Sequence, residues 1–197
     1  MNIIKSAALI ISCMALSACS SPIKLSESKF DNAELIVADS CGKAIVDKTD
    51  YLHIQFTLQS PLNLSGKTLS SESALLGNAY DSESPTLAGY VGYWDSHGQL
   101  KGWARGEEDL VLPKGSKIDA FIFPNLSWDT RRYSADGKVY QLASNDYEKI
   151  SLKLKAIDGM RVSDSSEVFE VDRDKVLAAI KSKEPKAYTL VSDTTCL

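Results

Sequence analysis

The sequence predicts a mainly β protein: an antiparallel β-sandwich, Ig-like or transthyretin-like in general shape, with one short helix in the C-terminal region. Three observations carry this reading. Leu52, Ile54, Phe56 and Leu58 alternate with His53, Gln55 and Thr57, and Ile150, Leu152 and Leu154 alternate with Ser151 and Lys153. Alternation at period two marks a strand with one face on a core and the other in water. Two four-residue connections, Asp95-Ser96-His97-Gly98 and Ser134-Ala135-Asp136-Gly137, end in glycine between apolar segments. A left-handed residue is needed there, after the type I turn of a hairpin, and glycine takes that conformation without steric cost.

In chain order, residues 20–32 are rich in serine and charge without an apolar period and read as a flexible tether. Such a tether would hold a domain up to roughly 40 Å from its point of attachment. Residues 34–38 are a short apolar strand, 52–58 the clearest half-buried strand, and Pro61 ends it. Residues 62–85 read as loop-rich, with a short strand at 74–80. The first hairpin joins 90–94 to 99–105 and the second joins 130–133 to 138–142, while 109–112 and 118–123 are strands separated by Pro113-Lys114-Gly115-Ser116. The helix starts at Asp172 as N-cap, with Asp174 in the first turn where negative charge suits the helix dipole. Val176, Leu177 and Ile180 form its apolar stripe, and Pro185 stands past its end. A last strand at 187–191 leads to Cys196.

The N-terminus has a different character. Lys5 gives a positive start, residues 6–16 are mostly apolar and uncharged, and Leu16-Ser17-Ala18-Cys19 follows. The charge and the apolar run have the layout of a secretory signal. At roughly 20 residues, a membrane-spanning helix would need a longer apolar run than this one. The four residues closing the run resemble the lipobox of bacterial lipoproteins: a leucine, two small residues, and the cysteine that becomes the new N-terminus. The resemblance implies cleavage before Cys19, a diacylglycerol on its sulfur and a third acyl chain on its amine. Two or more chains make membrane attachment stable where one is reversible. Ser20 after the cysteine resembles the outer-membrane sorting pattern, since aspartate is typical of inner-membrane retention. The expected organisation is a signal peptide at 1–18, a lipidated N-terminus and tether at 19–32, and one β-sandwich domain at 33–197. The expected location is the outer membrane, facing the periplasm.

Losing Lys5 with the leader takes the net charge from −4 to −5. An acidic chain without a basic patch is not expected to bind nucleic acid. Cys13 leaves with the leader and Cys19 is lipidated, so Cys41 and Cys196 remain in an oxidising compartment and are expected to form a disulfide.

Few residues point to chemistry. The two histidines, His53 on the polar side of a strand and His97 in a turn, have no recognisable partner in sequence. No nucleophile elbow or metal-ligand spacing occurs, so neither a cofactor nor a metal is expected. Glu107, Glu108 and Asp109 form an acidic run that reads as a solvated turn. They are also the only acids to test for an envelope enzyme. The one constellation with binding character is aromatic: a hairpin placing Tyr90 opposite Trp103 and Trp94 opposite Gln99 gathers Tyr90, Trp94, Gln99, Lys101 and Trp103 into a candidate binding face. The functional expectation is a membrane-anchored envelope lipoprotein that binds, as an accessory or scaffold of another envelope protein. The alternative is a module that binds glycan or peptidoglycan through that face.

Overall fold

Strand β3 (Ala44–Leu58) is buried on both sides from Tyr51 to Ile54, and the architecture follows from that. In the computed structural model, which describes residues 22–77, 86–102, 105–127, 147–181 and 185–192, β3 pairs antiparallel with β2 (Leu25–Ala38) and β9 (Lys117–Ser127). From β9 the sheet continues through β6 (Thr86–Trp94), β7 (Leu100–Gly102) and β13 (Lys186–Val191), and β13 returns to β2. The six strands close into a small barrel. Closure removes the exposed strand edges that an open sheet would carry.

A second sheet branches from the barrel at β6. Strand β5 (Thr68–Leu76) joins β6 at Ser73↔Leu87 and Ala74↔Thr86, and β10 (Lys149–Asp158) lies along β5. Strands β11 (Arg161–Ser166) and β12 (Phe169–Asp172) share the far side of β10, and β1 (Pro22–Ile23) runs parallel to the end of β11. A separate small pair, β4 (Leu62–Asn63) with β8 (Val111–Leu112), lies off this path. The sheet curls over the outer wall of the barrel and traps the larger core between them. Ile54 and Phe56 of β3, Ile118 and Ile122 of β9, and Ile150, Leu152 and Leu154 of β10 all contribute to it. Each such side chain contributes about 1.5–3 kcal/mol when fully buried.

The described residues form the expected mainly β fold with one short helix, in a barrel-and-sandwich class of architecture. Their pairing is not all antiparallel: β13 runs parallel to both β2 and β7, and β1 runs parallel to β11. The helix α1 (Arg173–Ile180) explains β13, because it carries the chain from β12 back across the barrel and lets β13 enter in the direction of β2. Val176 and Ala179 are its buried residues, and Lys175 spans to β2, where it pairs with Glu27 at 2.6 Å and covers the Phe30 ring at 4.9 Å.

The expected tether is a second correction. Residues 22–32 form β1 and the first half of β2, although Ser26, Glu27, Ser28 and Lys29 are exposed. Hydrogen bonding along β3 holds this segment without an apolar face, so its composition concealed it. The hairpin expected at 130–142 lies outside the described residues, as do 78–80 of the strand expected at 74–80.

The two turns at opposite ends of the barrel share one design. Asp95 Oδ1 accepts the backbone N–H of His97 at 2.9 Å and of Gln99 at 2.8 Å, with Gly98 at φ 75°. Asp39 Oδ1 accepts those of Cys41 at 2.9 Å and Lys43 at 2.8 Å, with Gly42 at φ 81°. Asp39-Ser40-Cys41-Gly42 is therefore a turn of the same kind as Asp95-Ser96-His97-Gly98. Burial pushes the Asp95 carboxyl up, but the two N–H donors outweigh it and hold the group below its ordinary range.

Candidate functional site

Inside the barrel, alternate residues of its strands point at one another. Ala33, Leu35 and Val37 of β2, Tyr51 of β3, Leu100 of β7, Phe121 of β9, and Tyr188 and Leu190 of β13 form a second core, with Tyr90, Trp94 and Phe123 packed against it. Tyr51 meets Tyr90, Phe121 and Phe123 edge-on, with ring centroids 5.9, 6.4 and 5.0 Å apart. Aromatic rings fill the interior, and nearer the Leu25 end of β2 it turns polar.

His53, fully buried, bridges two carboxylates there. Its Nδ1 is 2.6 Å from Asp31 Oδ1 on β2, and its Nε2 is 2.5 Å from Asp119 Oδ1 on β9. Asp119, also fully buried, accepts Gln55 Nε2 at 3.0 Å on Oδ1 and Trp94 Nε1 at 2.5 Å on Oδ2. Asp31 is 24% exposed and forms an ion pair with Lys29. The His53 ring stacks on Phe121 (4.9 Å, 20°) and tilts against Tyr188 at 4.7 Å. Four strands, β2, β3, β9 and β6, are thus tied by one polar network in a dry interior, where such bonds are strong and an unmade one is costly.

The geometry limits the chemistry. Each ring nitrogen of His53 is already in hydrogen-bond contact with a carboxylate oxygen, Asp31 on one side and Asp119 on the other. Both His53 nitrogens are occupied, which leaves it no lone pair for a substrate or a metal ion. The network locks the barrel.

The tyrosines record the same dryness. Burial, reinforced by Asp119 and Asp31, pushes the Tyr188 hydroxyl far above its ordinary range. Burial and Tyr90 do the same to Tyr51, whose hydroxyl has no hydrogen-bond partner among the described residues. In the outer core, burial pushes Tyr147 up to about 12 against the opposing effect of Arg173. Raised folded-state values stabilise the neutral, folded protein below the unfolded tyrosine value of about 10, and this contribution is lost as pH rises toward the folded values. Stability should therefore fall above about pH 10. In an alkaline titration followed by phenolate absorbance, these three tyrosines should ionise only as the protein unfolds; early, reversible ionisation of all eight tyrosines with the fold intact would contradict the burial described.

The expected aromatic face divides. Strand β6 pairs with β7 at Gly92↔Gly102, Tyr93↔Lys101 and Trp94↔Leu100, one residue away from the expected register. The turn is closed by Asp95 and Gln99: the Asp95 N–H donates to the Gln99 carbonyl at 2.9 Å, and the Gln99 N–H donates to the Asp95 side-chain Oδ1 at 2.8 Å. Tyr90 and Trp94 therefore face the barrel interior, Lys101 lies beside Tyr93 on the opposite face, and Gln99 is an exposed turn residue. Trp103 lies outside the described residues. Sequence reasoning placed His53 on a solvent face, whereas it is a buried member of the network. His97 is exposed in its turn, as expected, and Glu107, Glu108 and Asp109 lie in an exposed loop before β8. Cys19 and Cys196 lie outside the described residues.

One shallow cleft of about 320 Å³ opens beside β1, lined by Pro22, Ile23, Pro61, Asn63 and the ion pair of Lys67 with Asp164 at 2.9 Å. No family model, curated protein or solved structure matches the chain.

Proposed function

We propose that this protein is a cell-envelope lipoprotein, cleaved before Cys19, held by its acyl chains on the periplasmic face of the outer membrane, and acting there by binding another envelope protein. The observation that carries the reading is the spacing between lipid and fold: Pro22 of β1 is only three residues past Cys19. Instead of hanging from a tether, the domain is held against the bilayer in a restricted orientation, as suits a scaffold that presents fixed loops to a neighbour. Using His53, Asp31 and Asp119 to lock the barrel fits a binding role better than a catalytic one.

The Cys41–Cys196 disulfide belongs to the same reading. Strand β13 ends level with β2 at Val191↔Ala38, and Ser192 N–H donates to the Ala38 carbonyl at 2.8 Å. The last residues of this parallel pair, Val191 and Ala38, stand five residues before Cys196 and three residues before Cys41, at one end of the barrel. The bridge would close a loop of about 155 residues and stabilise the fold by on the order of 5 kcal/mol in the chain-entropy model.

Replacing Cys19 by serine should move the protein from the membrane pellet to the soluble periplasmic fraction, and intact mass of the native protein should show acyl chains on an N-terminal Cys19. A serine variant that stays in the membrane fraction, or an unacylated native N-terminus, would sink the reading.

A further inference from the structure

The β10–β11 hairpin carries an apolar side chain where none is needed for folding. Its two-residue turn has Gly159 at φ 59° followed by Met160, between the paired residues Asp158 and Arg161. Glycine first is the demand of this tight turn, and the second position accepts almost any residue. Met160 occupies it wholly exposed, with Val162 49% exposed two residues on and Arg161 exposed between them.

The chain's own path says what meets this tip. Strand β1 runs parallel to β11, with Pro22 level with Ser165 and Ile23 with Ser166. At Pro22 the chain direction therefore points back toward the Arg161 end of β11, the end that bears Met160. Three residue steps from Cys19 to Pro22 span at most about 10 Å, and the five from Ser165 back to Met160 span about 16 Å. With Cys19 no more than about 10 Å from Pro22, the attachment point is confined to the neighbourhood of the strand pair that bears the hairpin tip.

We propose that the β10–β11 hairpin is a second membrane contact: Met160 and Val162 enter the interfacial region of the bilayer that holds the Cys19 lipid, with Arg161 meeting lipid phosphate. The inference rests on the lipid anchor proposed above. One unbranched apolar side chain adds little affinity alone, but the anchor has already brought it to the surface, so its effect is to fix orientation. The barrel end bearing the Asp39–Lys43 turn then points away from the membrane.

The mature chain offers a direct test, because Met1 and Met14 leave with the leader and Met160 is its only methionine. The native lipidated protein is reconstituted into phosphatidylethanolamine/phosphatidylglycerol vesicles and exposed to chloramine T, an anionic oxidant confined to water. The Cys19→Ser protein is treated alone, and sulfoxide formation is followed by mass spectrometry. Exposure governs methionine oxidation, so Met160 should oxidise about tenfold more slowly in the vesicle-bound protein. Equal rates in protein that floats with the vesicles would overturn the second contact and leave the anchor standing. Failure of the native protein to float would overturn both. Protection in the Cys19→Ser protein that grows with its concentration would assign the tip to a second copy of the chain and overturn the membrane contact.

Discussion

Replacing Asp119 by alanine is expected to lower the free energy of unfolding by about 3–5 kcal/mol, the cost of removing one member of a buried charge pair and leaving the other uncompensated. The change strands three groups at once: Nε2 of His53, the Gln55 amide and the Trp94 indole N–H all point at the lost carboxylate. Against a domain stability of about 5–15 kcal/mol, that loss removes from about a fifth to all of the margin. Urea unfolding of Asp119→Ala checks the size of the loss. The double variant His53→Leu/Asp119→Leu separates the charge pair from the rest of the network: it should recover only the part due to an unpaired buried His53, because the Gln55 amide and the Trp94 N–H still lack their acceptor. A single-variant loss below about 1 kcal/mol would mean that water reaches the network, contrary to the zero exposure of His53 and Asp119.

Gly89→Ala is expected to open the barrel along its β6–β9 seam, at a cost of about 3 kcal/mol. A methyl group at this position would lie 2.3 Å from the Phe121 carbonyl oxygen and 3.4 Å from Ile122 Cα. Those atoms belong to the backbone of β9, so no side chain can turn aside and the strands must separate. The seam is already irregular there: Leu87 pairs with Ser127 but Gly89 with Ile122, so β9 bulges where it contains Pro124, which has no N–H to give the ladder. The loss would register as a lower thermal midpoint, with faster amide exchange at residues 90–93 and 118–121. Unchanged exchange there, with the midpoint intact, would show that the strands do not approach as closely as described.

How far these features could be read from the sequence depends on the range of the interactions that make them. The alternation in β3 and β10, the helix start at Asp172 and the Asp95–Gln99 turn are local, and all four were legible. The barrel was not, because closure is made by β13 meeting β2 and by β6 meeting β9, pairings between distant segments. Reading His53 and Gln55 as a solvent face was the natural consequence, since one strand cannot show that its polar side is covered. One signal was available. In the run 118–123, Asp119 shares a face with Phe121 and Phe123, and an acid on an aromatic face needs a buried partner. The aromatic hairpin failed by a single residue of register. Because side chains alternate across a strand, that slip put Lys101 on the face opposite Trp94.

The pairing of β13 with β2 also governs how such a chain can reach its folded state. Lys186 lies beside Ala33, about 150 positions earlier, so the contact order is high and folding is correspondingly slow. A polypeptide emerging N-terminus first, from a ribosome or through a narrow pore, can lay β2 on β3 early but must leave the opposite edge of β2 unsatisfied until nearly its last residue has appeared. Throughout that interval the nascent chain presents a bare strand edge at Ala33–Ala38, a target for holding chaperones and for misassociation between copies. Truncation by little more than ten residues at the C-terminus would make that exposure permanent.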